Sequence, residues 1–126
     1  HTSVATRNKE TSYLWEPANA TGKGGVIDEN HQWARLLFPV GKRWYTAQEM
    51  NAPANGVKEL SWRDYGRFGY FLPKKLKKGE PFNLKFRFAI EEVDAPANAP
   101  KPSDAQAKAS HKLCAKRYNA FLKSLK

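Results

Sequence analysis

Phe82, Leu84, Phe86, Phe88 and Ile90 recur at strict period two, separated by Asn83, Lys85, Arg87 and the small Ala89. Alternation at that period marks a strand with one face on a core and the other in water. Residues 82–92 are therefore expected to form the organising strand of the chain, launched by the turn Lys77-Lys78-Gly79-Glu80-Pro81. Residues 33–40 and 43–50 are two more strand-like runs, joined only by Gly41-Lys42, a connection short enough for a hairpin. In the second run Trp44, Thr46, Gln48 and Met50 share one face, and Tyr45, Ala47 and Glu49 the other. Pro39 has no N–H to give a ladder, which places the first run near a sheet edge or at a strand end. Further strands are expected at 59–62 and 68–72, with short candidates at 2–7 and 26–27. Residues 13–15 read as an aromatic patch, and the Pro- and Gly-bearing stretches 16–25 and 51–56 as loops.

From Ser103 onward the period changes to about 3.6. Leu113, Cys114, Tyr118, Phe121, Leu122 and Leu125 fall along one side of a helix, and Lys108, Lys112, Lys116 and Lys123 along the others, with Ser103 or Asp104 as cap. Residues 94–102, rich in Pro and Ala, read as a stiff extended linker. The chain thus divides into a β domain (1–93), a Pro/Ala linker (94–102) and a basic amphipathic helix (103–126). Its fold class is mainly β: an antiparallel β-sandwich or half-sandwich with one C-terminal amphipathic α-helix. The apolar stripe of that helix requires a partner surface, either the sheet or another chain.

At 126 residues and 40% hydrophobic composition there is material for one core and not for two. The net charge is +10, and residues 101–126, with 7 basic and 1 acidic side chains, hold +6 of it. Such an excess favours an anionic partner: nucleic acid, acidic polysaccharide, phospholipid headgroups or an acidic protein face. Lys74, Lys75, Lys77 and Lys78 before the organising strand, and Lys112 and Lys116 on the helix, are the candidate basic surface, although runs of this kind are more often plain solvated faces. No DNA- or RNA-binding module is recognisable. A single cysteine, Cys114, rules out an intrachain disulfide, a thiolate zinc cluster and a Cys-x-x-Cys redox pair. On the apolar side of the helix it reads as a small buried hydrophobe. No run has the length of a membrane-spanning helix. The chain starts at His1 rather than Met, which suggests a processed product and an extracytoplasmic location, or else a fragment.

The runs Gly25-Val26-Ile27, Phe38-Pro39, Lys42-Arg43-Trp44-Tyr45 and Asn51-Ala52-Pro53 precede the most specific one, Ser61-Trp62-Arg63-Asp64-Tyr65-Gly66-Arg67-Phe68-Gly69. With Leu76-Lys77-Lys78-Gly79-Glu80 and Leu84-Lys85-Phe86-Arg87-Phe88, this set resembles the closing half of the PmoA-like proteins, a bacterial family of unknown function. That family is similar in pattern to large β-sandwiches of the sugar mutarotase type. The resemblance covers residues 25–92. It implies a sandwich with more strands than this chain supplies, completed by another chain, by a lost N-terminal region or by self-association. It also implies that Arg63, Asp64, Tyr65 and Arg67 face a polar cleft. The basic helix has no counterpart in it.

Candidate chemistry concentrates in three places. Trp62, Arg63, Asp64, Tyr65 and Arg67 have the types needed to hold an anionic or carbohydrate ligand: a stacking ring, a guanidinium fork and an orienting carboxylate. The alternative is an internal Arg63–Asp64 ion pair with the aromatics in the core, and aromatic strands favour it. Asp28, Glu29 and His31 are close enough in sequence for a loop metal site. An N-terminal His1 binds copper through its amine and imidazole, with His31 or His111 completing the planar nitrogen set that copper favours. Glu91 and Glu92 are adjacent on a strand and point to opposite faces, which disfavours joint acid–base work. His111 reads as a solvated side chain, and with no orienting group beside it Cys114 is not a nucleophile.

The leading expectation is a non-catalytic binding or structural subunit of a larger assembly, with a protein partner or self-association and a basic surface for an anionic partner. An enzyme subunit acting on a carbohydrate-like substrate is the alternative, and a copper-binding protein built on His1 the third reading.

Overall fold

The computed structural model describes residues 2–3, 11–16, 26–28, 31–57, 59–63, 67–71, 75–96 and 102–126. The hairpin at its centre forms where the alternation places it. Strand β4 (Trp33–Val40) and strand β5 (Arg43–Asn51) pair antiparallel from Trp33–Met50 to Val40–Arg43. Gly41 takes the positive φ of 61° that this two-residue turn asks for. Strand β2 (Ser12–Glu16) lies along the far side of β4, reaching from Glu16–Trp33 to Ser12–Leu37, so Pro39 falls beyond its end. Strand β8 (Phe86–Val93) adds to β5, giving the sheet β2-β4-β5-β8. A second antiparallel sheet, β1-β7-β6-β3, comprises β1 (Thr2–Ser3), β3 (Val26–Asp28), β6 (Glu59–Arg63) and β7 (Arg67–Phe71).

The two sheets face each other. Ala34, Leu36 and Phe38 of β4 and Ala47 of β5 pack with Leu60 of β6, joined by Tyr13, Tyr45, Trp62 and Tyr70. The other side of sheet β2-β4-β5-β8 is covered by helix α1 (Asp104–Lys123). There Trp33, Met50 and Ala52 meet Cys114, Tyr118 and Phe121, flanked by Leu14, Ala89, Leu122 and Leu125. Ser103 and Gln106 close a reciprocal capping box that fixes the helix start. Mainly β architecture with antiparallel sheets and a single C-terminal helix is what the periodicities predict, and the chain's own sheet receives the apolar stripe of the helix.

Four expectations change. Residues 13–15 belong to a strand, β2. Leu113, placed on the buried stripe, is 42% exposed. The organising strand starts at Phe86 and not at Phe82, because Asn55 occupies the backbone of Lys85: its amide donates to Lys85 O (2.8 Å) and its oxygen accepts from Lys85 N (2.9 Å). The largest change concerns which face of β8 is covered. Arg87, Ala89, Glu91 and Val93 face the helix, whereas Phe88 and Ile90, on the apolar face, are 47% and 70% exposed. Tyr70 of the facing sheet stacks on Phe86 at 5.7 Å, and cover fades along the strand beyond it.

Candidate functional site

Buried polar groups gather at the end of the sandwich where β4 begins, β5 ends and β8 begins. Alternation along β5 sends Ala47 into the space between the sheets, and Glu49, two residues on, follows it. Glu49 is 5% exposed, and its Oε2 makes no hydrogen bond among the described residues. Burial pushes this carboxyl up to about 7. Across the gap stands Tyr70 of β7, whose buried hydroxyl likewise makes no hydrogen bond among the described residues. Burial holds the Tyr70 phenol well above its ordinary value, and the neighbouring Glu49 and Tyr118 add to the shift.

His31 completes the group. It precedes β4, is 3% exposed, and its ring lies 6.3 Å from that of Tyr70. Its carbonyl accepts a hydrogen bond from Asn51 Nδ2 (2.9 Å), and Asn51 Oδ1 in turn accepts from Asn55 Nδ2 (2.8 Å). The Tyr118 hydroxyl donates to Asn51 O (3.2 Å), which ties the same corner to the helix. His31, Asn51 and Tyr118, with Gln32, Pro53 and Leu122, line a cleft of about 560 Å³ between the sandwich end and α1. The arrangement is a buried imidazole of a cleft-lining residue, a phenol beside it and, next to the phenol, a carboxyl that binds its proton more tightly than usual. Such groups serve as ligands or as acid–base partners. Among the described residues no three His, Cys, Asp or Glu side chains converge, so a metal held here draws on Tyr70 or on residues outside that set.

The residues singled out from the sequence are dispersed. Trp62 is half-buried in the sandwich core, its ring 5.4 Å from that of Tyr13. Arg63 and Arg67 end and begin β6 and β7 and pair with each other across the hairpin. Their side chains, with Asp64 and Tyr65, lie outside the described residues, as do His1, Glu29, Lys74 and the Asp28 side chain. Lys75, Lys77 and Lys78 are exposed before β8, and Lys112 and Lys116 are exposed on α1. His111 is not a solvated side chain: its Nε2 lies 2.8 Å from Glu16 Oε2 and its ring 5.0 Å from that of Trp33. Burial raises the Cys114 thiol to about 11, in keeping with an inert core residue. Glu91 is bound by both guanidinium nitrogens of Arg117 (3.1 and 2.6 Å), which hold its carboxyl below the ordinary value.

Glu49, Tyr70 and Asn51 were missed as site residues. For Glu49 the signal was in plain view, since a carboxylate shares its strand face with Tyr45 and Ala47. Comparison of the chain with protein families, with curated proteins and with solved structures gives no match.

Proposed function

We propose that this is a copper-binding β-sandwich protein whose metal is held at the cleft between the sandwich end and the helix. The observation that carries the reading is the cluster at His31, a residue that lines the cleft and whose buried ring lies 6.3 Å from that of Tyr70, itself beside the buried carboxyl of Glu49. Thr2 pairs with Phe68, two residues before Tyr70, so the chain's first described strand runs beside the strand that carries this tyrosine. The imidazole of His1, outside the described residues, is proposed to join His31 in the nitrogen-rich set that copper prefers. Tyr70 is the neutral oxygen at hand for a weaker position. A cation near Glu49 and Tyr70 offsets the burial that raises both groups above their ordinary values. Nothing in this site depends on the resemblance of residues 25–92 to the PmoA-like proteins.

Calorimetric titration with Cu(II) tests the reading. One equivalent is expected to bind the wild type, His31→Asn to lose that binding, and His1→Ala to weaken it strongly. Equal binding by all three chains would contradict it.

A second reading, a surface for an anionic partner, is favoured by the exposure of Lys75, Lys77, Lys78, Lys112 and Lys116. Binding to a polyanion such as heparin, falling steeply with salt and weakened by Lys→Gln changes at these positions, is its expected signature. The helix stripe packs on the chain's own sheet, and a structural subunit of a larger assembly stays a further proposal, resting on the charge excess of residues 101–126.

A further inference from the structure

Strand β8 is an edge, paired with β5 and with no other described strand. Edge strands are usually blunted by proline, lysine, bulges or shortness, because their free N–H and C=O groups are templates for another strand. Over its eight residues, Phe-Arg-Phe-Ala-Ile-Glu-Glu-Val, β8 has no Pro, Gly or Lys. It also presents Phe88 and Ile90, 47% and 70% exposed, on the face turned away from the helix.

We infer that β8 pairs antiparallel with β8 of a second copy of this chain, joining two β2-β4-β5-β8 sheets into one. The occupant is fixed by the pattern of the strand itself. A two-fold axis normal to the sheet keeps both helices on one face and sets each residue opposite another whose number has the same parity. Centred on Ala89, it sets Phe88 opposite Ile90 twice and Arg87 opposite Glu91 twice. The exposed apolar pair is thereby covered, and unlike charges meet on the helix side. Centring on Ile90 instead faces Phe88 with Glu92 and Ala89 with Glu91. Centring on Phe88 leaves Arg87 opposite Ala89. Both forfeit the charge match within the strand. Arg87 already reaches Ser124 Oγ (2.8 Å) and Glu91 already holds Arg117, so the new contacts would extend an ordered charge row instead of ordering free side chains. The pairing uses the outer edge of β8 and needs nothing from the metal site, although Glu49 of that site pairs with Phe88 on the inner edge.

Sedimentation equilibrium of the full chain tests it. The wild type is expected to approach twice its 14.3 kDa as concentration rises. Ile90→Lys, at an exposed position, is expected to raise the dissociation constant by more than about tenfold with the secondary structure unchanged by circular dichroism. Arg87→Glu and Glu91→Arg are each expected to weaken the dimer, and their mixture to restore it, with helix content checked by circular dichroism. A wild type that stays monomeric throughout overturns the inference and leaves the patch to a different protein. A dimer indifferent to Ile90→Lys overturns the surface, and a mixture of the charge variants no tighter than either alone overturns the register.

Discussion

The two sides of sheet β2-β4-β5-β8 are built on different terms. On the helix side the long-range polar contacts lock one layer to the next: Gln48 Nε2 donates to Cys114 O, Tyr118 to Asn51 O, and Arg117 to Glu91. The buried atoms there that make no hydrogen bond among the described residues, Trp33 Nε1 and Gln48 Oε1, belong to neutral groups. On the sandwich side the atoms without a hydrogen bond among the described residues include Glu49 Oε2 and the Tyr70 hydroxyl, both ionisable, with the His31 ring 6.3 Å from that of Tyr70. A buried carboxyl oxygen with no hydrogen bond among the described residues costs stability. One side therefore behaves as scaffold, and the other gives up stability where a site would use the groups.

The contrast is broken most severely by removing the scaffold. Phe121→Ala, which empties the contact with Tyr118 and with the Arg87 guanidinium lying 5.0 Å from the Phe121 ring centre, is expected to cost about 3–5 kcal/mol in urea unfolding. Next comes the acid itself. Its folded value, about 7, lies above the ordinary 4.5, so the folded chain holds the proton more tightly than the unfolded one. That stabilisation is complete below pH 4.5 and is lost as pH rises through 7, a fall of about 3 kcal/mol. Glu49→Gln is expected to flatten this slope and to be the more stable chain at pH 8, read by urea unfolding across that range. Smaller still, Tyr118→Phe removes the hydrogen bond to Asn51 O and is expected to cost about 1 kcal/mol. Arg117→Ala frees a half-exposed Glu91 and is expected to cost at most about 1 kcal/mol, with the Glu91 carboxyl returning toward its ordinary range by NMR titration.

Much of the scaffold side was legible in the sequence. The change of period at Ser103 gave the helix and its cap, and Gly41-Lys42 gave the central hairpin with the correct division of its faces. Strand β8 misled because alternation shows that two faces differ but not which one is covered. The helix lies over the charged face, and the facing sheet reaches only as far as Phe86. The start of that strand was hidden for a different reason: Asn55, far away in sequence, takes the backbone groups of Lys85. Site residues were harder to read. Local density drew attention to Trp62 and the arginines around it, yet Trp62 belongs to the core. The cluster that forms joins His31, Glu49 and Tyr70 from three separate segments, and only the antiparallel registers bring them together.

The measurement that bears most directly on the claim that the sandwich end is a site is the electron paramagnetic resonance spectrum of the chain with one equivalent of Cu(II). A single mononuclear signal with nitrogen superhyperfine structure is expected for the wild type, and its loss in His31→Asn, with the fold intact by circular dichroism. Identical spectra from the two chains would contradict it.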